Sequence, residues 1–309
     1  MPSRKVVRKP RQRRITEERN AASKNLDRMS SLEISRLMNR EDQKVAPAVG
    51  RTLATIARAI DEIVPRMTMG GRLIYVGAGS SGRIGVLDAS ECPPTFGVSP
   101  DLVRALIAGG KKAVRQSVEG AEDRPKDGAR DLQQIRLSKL DSVVGIAASG
   151  TTPYVLGAIA FAKRRGALTI GVAANRRSPL AKSAAIAITP EVGPEILAGS
   201  TRLKAGTSQK MVLNMLSTAV MVRLGHAYGN LMIDMGEANE KLRERAKWIL
   251  KEASDSDVSA VTRALRQSGH DLRLALIMLK RGVSAKQARN ILQQSGGNLR
   301  SALGERPSH

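Results

Sequence analysis

GRLIYVGAGSSGRIGVLDASECPPTFG, residues 71–97, is the stretch that decides the fold. It opens with an apolar run of β-branched and aromatic residues at 73–76, which is typical of a short buried strand. Residues 77–82 are rich in glycine, and the apolar spacing after them becomes helical over 81–89. The stretch therefore predicts a strand, a tight turn and a helix, with a carboxylate, Glu91, beyond the predicted helix.

The turn at residues 77–82 reads G-x-G-x-x-G and has three interpretations. Backbone N–H groups at a helix N-terminus favour an anion, so Ser80, Ser81 and Gly82 are candidates for binding a phosphate. The same spacing occurs in dinucleotide-binding turns, which need an acidic residue about 20 positions later. The acidic residues here come too early for that role. A tight turn without a ligand is the third interpretation, and the motif alone leaves all three open.

Strand-like and helical segments alternate beyond this turn, which indicates an α/β fold. The near-continuous apolar runs at 143–148 and 168–172 suit strands that are buried on both faces of a parallel sheet. We therefore predict a parallel sheet with helices on both faces, and ligand binding beyond the carboxyl ends of its strands. The predicted strands are 72–77, 103–108, 142–147, 168–173 and 185–189, and the helices between them are 81–89, 111–118, 124–135, 153–164 and 178–183.

The 309 residues divide into four predicted segments. Two other long helices are expected inside them, at 45–68 and 199–226, and a charged helix at 237–252. The segments are a basic arm at 1–15, N-terminal helices at 16–70, a sheet domain at 71–252 and a small helical domain at 253–309. Short helical segments are predicted in the last of these at 256–267, 271–281, 285–294 and 297–303, with the size and rhythm of a three-helix bundle.

Composition excludes several classes of protein. A hydrophobic fraction of 41% indicates a globular chain, and no stretch approaches the roughly 20 apolar residues of a membrane span. A single cysteine, Cys92, excludes an internal disulfide framework and fits a cytoplasmic location. The three histidines are scattered, so neither a histidine-based triad nor a metal site is expected.

The net charge of +23 invites a nucleic-acid interpretation. Its distribution argues against this, because residues 1–14 alone carry seven basic side chains and no acidic one. Aromatic residues make up 2% of the chain and offer no stacking platform for single strands. We expect nonspecific binding of polyanions by the basic arm rather than recognition of a sequence.

A second hydroxyl-rich turn follows the predicted strand at 142–147. Ser149, Thr151 and Thr152 surround Gly150, and Pro153 suits the first position of a helix. An ordinary N-cap by Thr152 explains part of this pattern. Two hydroxyl-rich turns at two strand ends exceed what capping requires, and together they predict a site for a phosphate.

An acidic cluster at residues 119–123 supplies the second candidate for proton transfer. Glu122 and Glu91 offer two carboxylates, which can serve as general acid and general base when their environments differ. The alternative is that Glu122 and Asp123 are acids of the first turn of the next helix, placed there by the helix dipole.

Taken together, these motifs closely resemble those of the N-acetylmuramic acid 6-phosphate etherases. The resemblance spans residues 16–304 and is carried by DASECPPTFG at 88–97, VEGAED at 118–123, VVGIAASG at 143–150 and STRLKAGTSQKMVLNMLST at 200–218. It implies a sugar isomerase (SIS) fold, a homodimer and no cofactor. The implied reaction removes D-lactate from the sugar phosphate by elimination of lactate and addition of water.

The resemblance also implies roles for individual residues. Glu91 corresponds to the acid that protonates the departing lactate and Glu122 to the second acid/base; which of them removes the proton on C2 is left open. Ser81, Ser149 and Thr152 match phosphate-binding positions of the wider fold. Where the family commonly has arginine, this chain has Thr151, which leaves Lys204, Arg202 or Arg83 to supply a cation.

Two rival hypotheses stay open from the sequence. One is a non-catalytic sensor of sugar phosphates, similar to the glucokinase regulators. The other is a nucleic-acid-binding regulator that uses the basic arm.

Overall fold

The computed structural model describes residues 15–235 and 240–305. The predicted basic arm therefore lies, apart from Ile15, outside the described residues. Within the described ranges, no helix is both long and apolar enough to cross a membrane.

A five-stranded sheet forms the centre, and all of its strand pairs are parallel. The spatial order is β2-β1-β3-β4-β5. All five predicted strands are confirmed within one residue at each end, and three of them are buried along their whole length, as expected of apolar runs covered on both faces. The strands are β1 (Leu73–Gly77), β2 (Val103–Ile107), β3 (Ser142–Ile146), β4 (Leu168–Val172) and β5 (Ile186–Ile188).

Helices cover both faces of the sheet, as predicted. Side chains of β1 alternate between two hydrophobic clusters: Leu73 and Tyr75 belong to one, and Ile74 and Val76 to the other. The first cluster is closed by α2 (Val45–Gly50), α3 (Leu53–Thr68), α4 (Gly79–Phe96) and α9 (Lys204–Arg223). The second is closed by α6 (Pro125–Gln134), α7 (Pro153–Arg164) and α8 (Pro179–Ser183), while the short α5 (Gly110–Arg115) follows β2.

The N-terminal segment is less helical than predicted. Three short 3-10 turns occupy much of residues 15–28, and the first α-helix, α1 (Ser31–Asp42), begins at a capping box between Ser30 and Glu33. The single helix expected over 45–68 is wrong, because it is broken between α2 and α3. The buried hydroxyl of Thr52 donates to the carbonyl of Val49 and tightens the chain into a turn there.

Two other predicted helices have different lengths in the structure. Helix α4 continues through Pro93 and Pro94 because the buried side chains of Cys92 and Phe96 hold its last turns on the core. Helix α9 begins only at Lys204, rather than at residue 199. The carboxylate of Glu195 accepts hydrogen bonds from the backbone N–H groups of Lys204 and Ala205, which fixes the first turn there.

The C-terminal part has its own hydrophobic cluster, made by residues between 233 and 302. The helix predicted at 237–252 is α10 (Glu240–Ser254), and its buried residues belong to this cluster rather than to the sheet. Four further helices follow, each within two residues of a predicted helical segment, so the module has one helix more than the three-helix bundle to which it was likened. They are α11 (Val258–Ser268), α12 (Leu272–Arg281), α13 (Ala285–Gln294) and α14 (Leu299–Ala302).

These four helices repeat one pattern. The sequence QSGHDLRLAL at 267–276 recurs 27 residues later as QSGGNLRSAL at 294–303, with seven of ten positions identical. In each copy a helix ends near the glycine, and the side chain of Asp271 or Asn298 caps the next helix. The bundle is thus two helix–turn–helix units that share a core.

Candidate functional site

The two predicted hydroxyl-rich turns lie side by side at the carboxyl edge of the sheet. One follows β1 and the other follows β3, which are neighbouring strands. After β1 the chain forms β2 on one side of it and then β3 on the other side. The strand order therefore reverses between β1 and β3. Parallel α/β sheets bind ligands at such a point.

A cavity of about 500 Å³ opens between these turns, and we call it the main cavity. Seven residues were predicted to bind the substrate or its phosphate, and five of them line this cavity: Ser80, Ser81, Ser149, Thr151 and Thr152. Glu122 and Asp123 line it as well. Gly82 does not line it. A Cβ atom on Gly82 would lie 2.6 Å from Cγ1 of Ile107, so this glycine lets α4 pack closely against β2.

The N-termini of α4 and α7 both meet the main cavity. Helix α7 begins at Pro153 as predicted, but the hydroxyl of Thr152 makes no capping hydrogen bond. The Ser149 and Thr151 hydroxyls lie 2.9 Å apart, and the Ser149 oxygen accepts a bond from the backbone N–H of Thr151. Hydroxyl donors and two helix N-termini therefore converge on the main cavity, an arrangement that favours an anion.

Among the described residues, the side chains of the main cavity include no cation. The predicted cation Lys204 has another partner: its side chain is 2% exposed and its Nζ lies 2.6 Å from Oε2 of Glu41. Burial raises the pKa of Glu41, but hydrogen bonds from Lys204 and Lys44 outweigh that effect and hold it at about 2. Lys204 thus ties α9 to α1 from beneath the site.

Glu122 lies in the loop before α6 and lines the main cavity. Its backbone carbonyl accepts a hydrogen bond of 2.9 Å from the N–H of Tyr154, which anchors the loop on the first turn of α7. Helix α6 begins only at Pro125 after Arg124, so the alternative role of Glu122 as an acid of the first turn does not describe its position.

Glu91 lies elsewhere on its own chain. It is exposed on α4, eleven residues after Ser80, which is about 16 Å along a helix axis. It does not belong to the walls of the main cavity. Leu87, one turn before it on the same face, is 52% exposed.

A buried network fixes the helix that carries Glu91. The carboxylate of Asp88, one turn before it, accepts hydrogen bonds from the Tyr75 hydroxyl at 2.7 Å, the Asn214 amide at 2.6 Å and the Ser217 hydroxyl at 3.1 Å. Burial, with Asp88 alongside, raises the pKa of Tyr75 well above its ordinary value, so the phenol keeps its proton and donates it. The network locks α4 to β1 and α9.

The sequence reasoning missed one carboxylate of the main cavity, that of Glu17. The N-terminal segment crosses the site because the Gly199 N–H donates to the Thr16 carbonyl at 3.1 Å, and the Asn20 amide donates to the Pro194 carbonyl and to Glu41. The only signal in the sequence was that the resemblance begins at residue 16.

An apolar groove lies on the face of the molecule formed by α3 and α9, with a volume of about 870 Å³. Leu53 and Val222 on its walls are about half exposed. An open groove with apolar walls makes this face a candidate interaction surface.

Comparisons with known proteins bear on this site. A model of the glucokinase regulatory protein N-terminal SIS domain matches residues 55–163, and a model of the SIS domain matches residues 124–219. The sheet domain therefore has the SIS fold. A solved phosphoheptose isomerase from Francisella tularensis shares this fold, with a TM-score of 0.50 and 18% identity over 63% of this chain and 100% of that one.

Two relatives resemble nearly the whole chain. A protein of Caldanaerobacter subterraneus subsp. tengcongensis is 50% identical over 289 residues, covering 94% of both chains. A protein of Edwardsiella ictaluri is 51% identical over 292 residues, covering 94% of this chain and 97% of that one. Both carry the name N-acetylmuramic acid 6-phosphate etherase.

Proposed function

This chain belongs to the N-acetylmuramic acid 6-phosphate etherases, and we propose that it cleaves the D-lactyl ether of N-acetylmuramic acid 6-phosphate, giving N-acetylglucosamine 6-phosphate and D-lactate. The observation that carries the proposal is the main cavity, where hydroxyl-lined turns and a carboxylate meet at the strand reversal of a SIS sheet. The alternative of a non-catalytic sensor is not favoured, because relatives over 94% of the chain are named as etherases.

The phosphate would bind at the N-termini of α4 and α7, on Ser80, Ser81, Ser149, Thr151 and Thr152. With no cation among the described side chains of the cavity, hydroxyls, backbone N–H groups and the two helix dipoles carry this interaction. Thr151 keeps a donor at a position where the family commonly has arginine.

The reaction then needs two proton transfers from positioned carboxylates. We assign Glu122 to the proton on C2 of the open-chain sugar, because its carboxylate lies at the cavity. As that proton leaves, the electron pair of the C2–H bond forms the C2–C3 double bond and the C3–oxygen bond breaks. Glu91, initially protonated, gives its proton to the lactate oxygen. Water then adds at C3, Glu91 takes a proton from it, and Glu122 returns a proton to C2. Each positioned transfer is worth about 10²- to 10⁴-fold in rate.

Glu91 can take this role if the enzyme is a homodimer with a shared site. Glu91 is exposed about 16 Å along α4 from the phosphate turn of its own chain, beside the exposed Leu87. The apolar groove on α3 and α9 supplies a surface that a second copy would bury. We propose that two copies pack through these faces and that the partner's Glu91 completes the cavity.

The first test is release of D-lactate from N-acetylmuramic acid 6-phosphate by the purified protein. We expect Glu91→Ala and Glu122→Ala each to reduce turnover by about 10²-fold or more with little change in melting temperature. The control is Glu244→Ala, an exposed glutamate on α10, which should leave turnover unchanged. A folded wild-type protein that releases no lactate would refute the function.

The second test asks whether the site is shared. Coexpressing the Glu91→Ala and Glu122→Ala chains should restore about a quarter of wild-type activity, because half of the dimers are mixed and each has one intact site. If both carboxylates act within one chain, mixing restores nothing, and the shared site is refuted.

The proposed elimination and hydration need only acid and base groups, so we propose that the enzyme needs no cofactor. We also propose that it works in the cytoplasm. The buried free thiol of Cys92 is compatible with a reducing compartment. Turnover should survive dialysis against a chelator, and a loss that added metal restores would contradict this.

A further inference from the structure

A second, smaller pocket opens beside the main cavity, and we call it the side pocket. Its volume is about 140 Å³, and it shares Ala78, Gly79 and Glu122 with the main cavity. Glu122 therefore stands where the two spaces meet. A substrate that fills the main cavity would direct one substituent into the side pocket.

Size limits what this substituent can be. An acetamido group has four heavy atoms and needs about 120 Å³ if each takes the space of one water molecule, about 30 Å³. It fits the side pocket, whereas a whole sugar phosphate does not. The alanine and valine side chains of the pocket offer an apolar surface to a methyl group.

Two substituents of this substrate could enter the side pocket, the acetamido group and the lactyl group, and charge distinguishes them. The ionisable side chains of the side pocket are Arg83, Glu119 and Glu122. Arg83 uses its Nε to donate to the carbonyls of Ala113 and Val114 and its Nη2 to donate to that of Gln116, at 3.1 Å each. The arginine is thus largely engaged in holding the wall, and two carboxylates outnumber it. A third carboxylate, that of the lactyl group, would be repelled, whereas a neutral amide would not.

We propose that the side pocket binds the 2-acetamido group of the sugar phosphate, a proposal that rests on the function given above. The methyl group lies against the alanines, and the amide N–H donates to Glu122 or Glu119. Because the acetamido group is attached to C2, binding of this group in the side pocket places C2 next to Glu122. One pocket thereby selects N-acetylated sugars and aligns the carbon that loses its proton.

The test compares binding of N-acetylglucosamine 6-phosphate with that of glucose 6-phosphate, which has a hydroxyl in place of the acetamido group. We expect the wild-type protein to bind the acetylated sugar about 10-fold or more tightly by calorimetry, because the pocket wall pairs with both the methyl and the amide. Ala108→Val and Ala121→Val, each on a wall of the side pocket and not of the main cavity, should fill the pocket. They should abolish the preference by weakening only the acetylated sugar.

The control is Ala22→Val, an exposed alanine that lines neither pocket. Melting temperature and inhibition by inorganic phosphate show whether each variant keeps its fold and its phosphate turns. The proposal is overturned if the wild type binds both sugars equally, or if the filled variants weaken both sugars equally. It is also overturned if they keep the preference but lose inhibition by D-lactate, since the pocket would then hold the lactyl group. Wild-type protein that binds as expected but releases no lactate would refute the etherase function and leave the pocket assignment standing.

Discussion

Replacing Lys204 by methionine separates two roles that this lysine could have. The sequence predicts a phosphate ligand, whereas the structure shows an ion pair with Glu41 in which both side chains are less than 5% exposed. The pKa of Glu41 is about 2 in the fold against an ordinary value of 4.5, a difference that corresponds to about 3 kcal/mol. Losing the ammonium leaves a buried carboxylate that Lys44 and Asn20 compensate only in part.

We expect Lys204→Met to lower the free energy of unfolding by about 3 kcal/mol at pH 7, and the melting temperature by roughly 6–12 °C. Adding Glu41→Gln should recover part of the loss, because no buried charge is then left unpaired. Because the folded pKa of Glu41 is depressed, its contribution is complete above pH 4.5 and disappears as the pH falls towards 2. That acid-side loss should be smaller in the variant.

The assay is urea unfolding at several pH values, alongside the KM for the sugar phosphate. A KM that rises tenfold or more with an unchanged melting temperature would refute the structural role and restore the predicted phosphate contact.

Three further predictions follow from packing and burial. Gly128→Ala should prevent folding or lower the free energy of unfolding by more than about 3 kcal/mol in urea, because the new Cβ would lie 2.1 Å from the Tyr154 carbonyl oxygen. The control is Gly50→Ala, where a Cβ would have nothing within 4 Å, and equal stability of the two variants would contradict the close packing of α6 on α7. Burial, with Asp88 and Glu91 adding to it, raises the pKa of Cys92 to about 12, so iodoacetamide should label this thiol at pH 8 only after unfolding; rapid labelling of the native protein would contradict this. Val222→Asp should convert the proposed dimer to monomer in light scattering because it places a charge in the apolar groove, and an unchanged mass would exclude this groove as the interface.

Local patterns were sufficient to predict the sheet and the two hydroxyl-rich turns that follow its strands. The strands are short apolar runs, and each turn is defined by glycine and hydroxyl residues close together in the sequence, so neither depends on distant partners. The 27-residue recurrence in the C-terminal helices is equally local. It is visible in the sequence once the segments starting at Gln267 and Gln294 are aligned.

The features that the sequence did not predict depend on contacts between distant parts of the chain. The partner of Lys204 is Glu41, 163 residues away, and nothing near either residue indicates the pair. Glu17 reaches the main cavity because residues on either side of it bond to distant parts of the chain, Thr16 to Gly199 and Asn20 to Pro194. The end of α4 was misjudged for a related reason, since tertiary packing of Phe96 carries the helix through two prolines.

The crossing of the N-terminal segment over the site has a consequence for how the protein is made. Asn20 is synthesised early, yet its partner Pro194 lies 174 residues later, which at cellular rates of translation is a wait of roughly 10 to 35 seconds. During that interval the segment with Glu17 lacks its contacts with Pro194 and Gly199. The first described part of the chain to leave the ribosome is therefore among the last to find its place, and a nascent chain that has completed its first strands still has an open, unfinished site.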